Sequence, residues 1–356
     1  MKIGILTSGG DCPGLNAAIR GVAKAAYETL DDVQIFGILD GYRGLIHGEW
    51  KKMKQSDFSG ILTLGGTIFG TSRQPFKKMR KIEDDNIDKV DAMIGNYKKM
   101  GLDCLVILGG NGTHKTANLL SQEGLNIIGL PKTIDNDLWG TEVTFGFHTA
   151  VDIATDAIDR IHTTATSHGR VMIVELMGHN AGWLNLYAGV AGGADIILIP
   201  EIPYDADKVI ESVENRVTSG KSFSIIAMAE GAVDKTEANM SKSEFNDHMA
   251  TMPYHTSAYR LAKQIQDSTG LESRVVSPGH TVRGGSPSPY DRLLSTRFGV
   301  HAAKLIKEKQ FGRTIALVNN KITSNKLADV AGKLKLISPQ SSTIKDARNL
   351  GISFGD

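Results

Sequence analysis

The sequence reads as an α/β protein built on doubly wound parallel sheets. Short β-rich apolar runs recur along the chain, and amphipathic stretches of helical period lie between them, giving the order βαβα. The runs are KIGIL at 2–6, VQIFGIL at 33–39, CLVIL at 104–108, NIIGL at 126–130, RVMIVEL at 170–176, DIILI at 195–199 and SIIAM at 224–228. They are unbroken rather than alternating, as strands covered on both faces are. In LNAAIRGVAKAAYETL, Leu15, Ile19, Val22 and Ala26 fall on one helical face. In TAVDIATDAIDRIH, Val151, Ala154, Ile158 and Ile161 do the same, with Asp152, Asp156 and Asp159 facing away. Residues 232–251 are polar, lack a strand pattern and read as a surface excursion with room for a short helix. The stretch TSNKLADVAGKLKLIS beyond residue 320 reads as helix or surface and suggests no chemistry.

A chain of 356 residues is too long for one compact core, so two domains are expected, although no compositional linker marks a boundary. Hydrophobic residues at 41% and charged residues at 22% suit a globular enzyme. Lys and Arg total 40 against 39 Asp and Glu, so no basic excess suggests nucleic acid or an anionic membrane, and phosphate recognition must be local. No apolar run approaches the roughly 20 residues that cross a bilayer, and MKIGILTSGG does not resemble a secretory leader. Cys12 and Cys104 make neither a disulfide framework nor a metal cluster. A soluble cytoplasmic protein is expected.

Ligands of α/β sheets bind beyond the carboxyl ends of strands, so the strand ends carry the functional reading. The first strand runs into TSGGDCPGLNAAIR, where Gly9 and Gly10 permit a tight turn before a helix whose free N–H groups suit an anion. CLVIL runs into GGNGTHKTANLL, again glycines before a helix. A third cluster, LGGTIFGTSRQPF, places Gly65, Gly66 and Gly70 before Arg73, and a fourth is AGWLNLYAGVAGGAD. Three clusters at strand ends, two of them opening helices, argue for a phosphate-rich ligand. Neither GxGxxG with a later acid nor GxxxxGK[ST] is present, which disfavours a nicotinamide site and a P-loop.

The strand NIIGL runs into PKTIDND, a cation, a hydroxyl and two acids. In phosphoryl transfer one acid can take the proton of an attacking hydroxyl and a second can hold magnesium. Lys132 and Thr133 offer donors to a phosphoryl oxygen. An Asx-rich turn accounts equally for the spacing of Asp135 and Asp137. Arg170, Arg274, His280 and Arg283 add cations suited to a sugar phosphate, with nothing in their spacing to show that they converge.

The segments TSGGDCPGLNAAIRG, GGTIFGTSR, ILGGNGT, PKTIDND, FGFHTA, IDR, TSHGRVMIVELMGHNAGW, GGAD, IPE and GHTVRGGSPSPYDR, in this order and to about residue 300, resemble the 6-phosphofructokinase family. The resemblance implies two Rossmann-like domains with the active site in the cleft between them. Residues 1–146 with about 282–330 would bind the donor, and about 147–281 with 331–356 the sugar phosphate. It implies Mg²⁺-dependent transfer of a phosphoryl group from ATP to the 1-hydroxyl of fructose 6-phosphate, a glycolytic step.

Carried over by position, Asp135 matches the proton acceptor, Thr133 the residue holding the phosphoryl oxygen, and Arg73 the arginine bridging the transferred group. Gly10, Arg73, Gln74, Gly110, Asn111, Gly112 and Thr113 match the ATP site, and Asn111 and Asp137 the metal partners. Thr133, Ile134, Asp135, Arg170, Met177, Gly178, His179, Glu230, Arg274, His280 and Arg283 match the sugar-phosphate pocket. Arg170 and Arg274 would reach across from a neighbouring subunit of a homodimer or homotetramer.

Donor choice is assigned to Gly112, where glycine leaves space for the α-phosphate of ATP, and to Lys132, typical of pyrophosphate users. A carboxylate at 112 would repel an α-phosphate whereas a lysine serves either donor, so ATP is expected. Two positions depart from the pattern. Asn111 stands where the family's GGDG has aspartate and offers a carbonyl oxygen without charge, and His179 replaces an arginine after MG. Arg20 and Lys24 match cations of allosteric members, but His162 replaces a family arginine, so regulation is not implied. Alternative readings are a pyrophosphate-dependent enzyme, a non-catalytic sugar-phosphate or nucleotide-binding paralogue, and, more distantly, a lipid or NAD kinase with a similar phosphate loop.

Overall fold

The computed structural model describes residues 1–83, 86–254 and 256–356. The chain forms two compact units, Met1–Thr149 with Arg283–Lys335, and Ala150–Val282 with Leu336–Asp356. Each of the seven apolar runs is a strand.

The first unit contains β1 (Lys2–Thr7), β2 (Gln34–Ile38), β3 (Trp50–Met53), β4 (Cys104–Gly109) and β5 (Ile127–Pro131). The second contains β6 (Val171–Leu176), β7 (Ile196–Leu198), β8 (Ser224–Ala229) and β9 (Ser273–Val276). The chain then returns to the first unit with β10 (Arg313–Val318) and β11 (Lys321–Lys326). The first sheet has the order β11-β10-β5-β4-β1-β2-β3 and the second β7-β8-β6-β9. The second sheet is parallel throughout. The first is parallel from β10 to β2 and antiparallel at both edges, where β3 pairs β2 and β11 pairs β10.

Unbroken apolar sequence becomes two-sided burial: all six residues of β4, β6 and β8 are buried. Leu6, Leu105, Ile107 and Leu120 belong to the core of the first unit, and Ile173, Leu198, Ile226 and Leu261 to that of the second. Each such side chain contributes about 1.5–3 kcal/mol on leaving water. In the helix Leu15–Thr29, Leu15, Ile19, Val22 and Ala26 are buried. It lies against the helix Pro289–Lys307 so closely that a Cβ on Gly299 would stand 2.5 Å from the Ala18 carbonyl oxygen. In the helix Phe147–His168, Val151, Ala154 and Ile158 are buried, Ile161 is half-buried, and Asp152, Asp156 and Asp159 are exposed.

The stretch after residue 320 is corrected by the structure. Lys321–Lys326 is the edge strand β11, and a short helix, Leu327–Val330, follows. None of the six β11 residues is fully buried, so no apolar run announces the strand. The polar excursion at 232–251 holds a short 3₁₀ turn, Glu237–Asn239, and the helix Lys242–Thr251. Cys12 and Cys104 are both free and buried. Among the described residues no helix is long and apolar enough to cross a membrane.

Candidate active site

Strands β1, β4 and β5 are neighbours in parallel, with Thr7 opposite Leu108 and Gly109 opposite Pro131. Their carboxyl ends therefore emerge side by side and deliver three segments to one edge: Ser8–Gly10, Gly110–Thr113 and Lys132–Asp137. Ser8 N–H donates to the Leu108 carbonyl at 2.9 Å and Lys132 N–H to the Gly109 carbonyl at 3.1 Å, locking the three exits together.

The third glycine cluster is corrected in position but not in neighbourhood. Gly65, Gly66 and Gly70 follow no strand; they lie in a loop between 3₁₀ turns at Gln55–Phe58 and Phe76–Lys78. Side chains tie that loop to the end of β1. Thr7 Oγ1 donates to the Gly70 carbonyl at 2.7 Å, Thr71 Oγ1 to the Gly9 carbonyl at 2.6 Å, and Asn16 Nδ2 to the Gly65 carbonyl at 3.1 Å. Arg73 follows this anchored loop and is exposed, and Gln74 beside it is half-buried. The fourth cluster serves the turn between the helix Trp183–Ala191 and β7 and is not at a strand's carboxyl end.

Gly110 caps the helix Asn111–Gln122, whose first N–H groups face an anion favourably. A Cβ placed on Gly112 would meet no atom within 4 Å, so space lies open beside this turn. Thr113 is buried, its Oγ1 donating to the Ser8 carbonyl at 3.3 Å while its own carbonyl accepts from Tyr42 at 2.9 Å. The Asn111 side-chain carbonyl accepts from Gly332 N–H at 3.0 Å, leaving one lone pair for another partner.

Lys132 is buried, and its ammonium donates to the Gly10 carbonyl. Burial pulls its proton affinity below the ordinary lysine range; Arg283 adds to that, and Asp135 and Asp11 oppose it. Arg283 lies in the first unit, its Nη1 donating to the Asp11 carbonyl at 3.2 Å. A Cβ on Gly10 would stand 2.8 Å from Nη1, so a side chain there would displace the guanidinium from this approach. The Arg283 Nε is buried with no hydrogen-bond partner among the described residues, a donor suited to an anion.

Beyond Lys132 the chain turns sharply. Asn136 takes a left-handed conformation (φ 51°), which asparagine tolerates, and its Oδ1 accepts from Thr144 N–H at 3.1 Å. Asp135 N–H donates to Thr133 Oγ1 at 3.0 Å. The Asx-turn reading and the functional one thus coexist: the turn is what places half-buried Asp135 and Asp137 on either side of Asn136. Ile134 is fully buried and exposes no surface to a ligand.

Two residues here went unread in the sequence. His114 is buried, with Nδ1 3.0 Å from the Gly110 carbonyl and Nε2 2.8 Å from Thr314 Oγ1. A carbonyl only accepts, so Nδ1 carries the proton and the hydroxyl donates to Nε2. Burial lowers its pKa to about 4, keeping it neutral. Lys335 donates to Asn136 Oδ1 at 2.9 Å, to the Thr141 carbonyl at 3.0 Å and to the Glu142 carbonyl at 2.7 Å. Burial lowers its pKa to about 7 against the pull of Asp137 and Glu142. Both act across about 200 residues, a separation no local pattern reports.

The second unit gathers its own cluster. Leu176 pairs with Ala229 at the ends of β6 and β8, so Met177–Gly178–His179 and Glu230 emerge together. Glu230 Oε1 accepts from Gly178 N–H at 3.3 Å and from His179 N–H at 2.9 Å. His179 is exposed with φ 52°, a strained value for a side-chain-bearing residue. His280 is exposed in the 3₁₀ turn Gly279–Arg283 beyond β9. Arg170 and Arg274 converge elsewhere, on Glu272: Arg170 Nε is 2.6 Å from its Oε2, and Arg274 pairs with its Oε1. Arg170 precedes β6 and Arg274 is the second residue of β9, at the amino ends of these strands. The length of β6, about 20 Å, separates Arg170 from Met177.

A family model described as phosphofructokinase matches residues 2–306. The chain belongs to the phosphofructokinase family. It is 57% identical over 356 residues to an ATP-dependent 6-phosphofructokinase of Spirochaeta thermophila, covering 99% of this chain and 97% of that protein. It is 44% identical over 342 residues to a pyrophosphate–fructose 6-phosphate 1-phosphotransferase of Amycolatopsis methanolica, covering 96% and 97%. Among solved structures, phosphofructokinase from Saccharomyces cerevisiae superposes with a TM-score of 0.77 at 32% identity over 92% of this chain, which spans 45% of that chain's length.

Proposed function

We propose that the chain transfers the terminal phosphoryl group of ATP to the 1-hydroxyl of fructose 6-phosphate, giving fructose 1,6-bisphosphate. The observation that carries this reading is the side-by-side exit of β1, β4 and β5, which sets two glycine turns beside the Thr133–Asp137 loop. Backbone N–H groups of Gly10 and of Gly110–Thr113 cradle donor phosphates. Thr133 holds an oxygen of the phosphoryl group and Arg73 bridges it. Asp135 accepts the proton of the sugar hydroxyl as the O–P bond forms and the bond to the leaving diphosphate breaks.

Mg²⁺, which takes a few protein oxygens and fills its shell with phosphate and water, would neutralise donor charge. Asp137 and the remaining lone pair of Asn111 are oxygen donors of that kind, and both stand at this edge.

The open space at Gly112 supports ATP as donor. Lys132 supports the second reading, pyrophosphate, because its ammonium lies at the first glycine turn, near a short donor's phosphates. Met177, Gly178, His179, Glu230 and His280 line the sugar pocket, and Arg283 serves a phosphate from its place against Gly10. Arg170 and Arg274 stand at the other end of the second sheet from Met177 and Glu230, which supports their serving a neighbouring copy in a homo-oligomer. Two reduced, buried cysteines fit a cytoplasmic setting.

A coupled assay with fructose 6-phosphate, comparing ATP and pyrophosphate at matched magnesium, tests the reading. Turnover with ATP is expected. Turnover with pyrophosphate alone would reverse the donor assignment, and binding without turnover would favour a non-catalytic paralogue.

A further inference from the structure

We propose that the C-terminal segment Gly332–Lys335 is a positioning element of the reaction centre, and that Lys335 is the residue through which it fixes the loop carrying Asp135. The inference rests on the functional reading above and concerns residues beyond 306, where the match to the family ends.

The segment touches both loops. Gly332 N–H donates to Asn111 Oδ1 at 3.0 Å, on the turn after β4. Leu334 forms an antiparallel bridge with Leu138, and Lys335 N–H donates to the Asp137 carbonyl at 2.8 Å. The Lys335 ammonium then holds three oxygens on the far side of the same loop, those of Asn136, Thr141 and Glu142. Asn136 is the left-handed residue between the two acids, and its Oδ1 also accepts from Thr144 N–H. The Lys335 side chain thus closes 136–142 into a ring and fixes the peptide on which Asp135 depends.

Three directed bonds to one ammonium define its place far more tightly than apolar packing would. Asp135 itself touches the acceptor in the proposed reaction, whereas Lys335 acts through the loop. A proton acceptor displaced by about 1 Å is expected to cost on the order of 100-fold in turnover. The segment's contact with Asn111 holds the donor turn in register with that loop, so one short stretch references both reactants' supports.

The test is a double-mutant cycle in the full-length protein, with Lys335→Met removing the donors and Lys335→Arg retaining them. Lys335→Met should lower kcat by roughly 100-fold, with KM for fructose 6-phosphate little changed and Lys335→Arg recovering much of the loss. In the Asp135→Asn background the same change should cost little, because the residue it positions is already disabled. Hydrogen exchange supplies a readout independent of turnover: the amides of Asp135 and Thr144 should lose protection in Lys335→Met while β6 and β8 keep theirs. If Lys335→Met does not fold, Lys335→Gln enters the same comparisons. Wild-type kcat in Lys335→Met, an equal loss in both backgrounds, or loss of protection throughout the chain would each overturn the inference. A wild-type protein inactive with both donors overturns the functional reading and the catalytic part of this one, while the exchange result still decides whether Lys335 holds the loop.

Discussion

The two sheets use their strand ends differently. In the seven-stranded sheet the glycine turns, Thr133 and Asp135 all lie at the carboxyl ends of three adjacent parallel strands, and the chain brings them together unaided. In the four-stranded sheet the candidates divide. Met177, Gly178, His179 and Glu230 emerge at carboxyl ends, while Arg170 and Arg274 meet over Glu272 at amino ends. Residues at one edge of a parallel sheet converge through folding alone. Residues at opposite edges of a rigid sheet work on one ligand only if symmetry supplies the second set.

The sharpest way to break this comparison is at the carboxyl-end acid. Asp135→Asn keeps shape and removes the proposed proton acceptor, so kcat should fall by about 10³-fold while fructose 6-phosphate still binds by calorimetry. Near-normal turnover would remove Asp135 from its role. At the amino-end pair, Arg170→Ala should raise KM for fructose 6-phosphate about 10- to 100-fold through loss of a charge-assisted contact, with KM for ATP nearly constant. An unchanged sugar KM would mean that this edge binds no substrate. Gly112→Asp tests the donor turn: its carboxylate would face an α-phosphate, raising KM for ATP about tenfold or more, and unaltered ATP kinetics would place the nucleotide elsewhere.

The smallest effect concerns stability. His114 is held neutral with a pKa of about 4, below the ordinary value of 6.5. As pH falls from 6.5 toward 4 the unfolded chain takes up a proton that the folded chain refuses. The stability is therefore complete above pH 6.5 and declines across that window by up to about 3 kcal/mol. Urea midpoints at pH 7 and pH 4.5 should separate more for the wild type than for His114→Gln; equal separations would contradict the assignment.

What could be read in the sequence follows from these physical differences. The seven strands and the exits of β1, β4 and β5 were legible because two-sided burial leaves an unbroken apolar run, because glycines mark the first two exits, and because a cation, a hydroxyl and two acids mark the third. β11 was not, because an edge strand with no fully buried residue carries no such run. The loop around Gly65 looked like a strand exit and is instead fastened to one by Thr7, Thr71 and Asn16. His114 and Lys335 were invisible for a different reason. Their partners, Thr314 and the 136–142 turn, are distant in sequence and defined only by the completed sheet.

Subunit complementation tests the account at its centre. Asp135→Asn and Arg170→Ala are each purified, shown to be impaired, then mixed and dissociated and reassembled together. If the acid of one copy works with the arginines of another, hybrid dimers contain one intact site and the mixture should regain about a quarter of wild-type activity at low fructose 6-phosphate. Activity no higher than the sum of the two separate variants, in hybrids verified by mass, would contradict it.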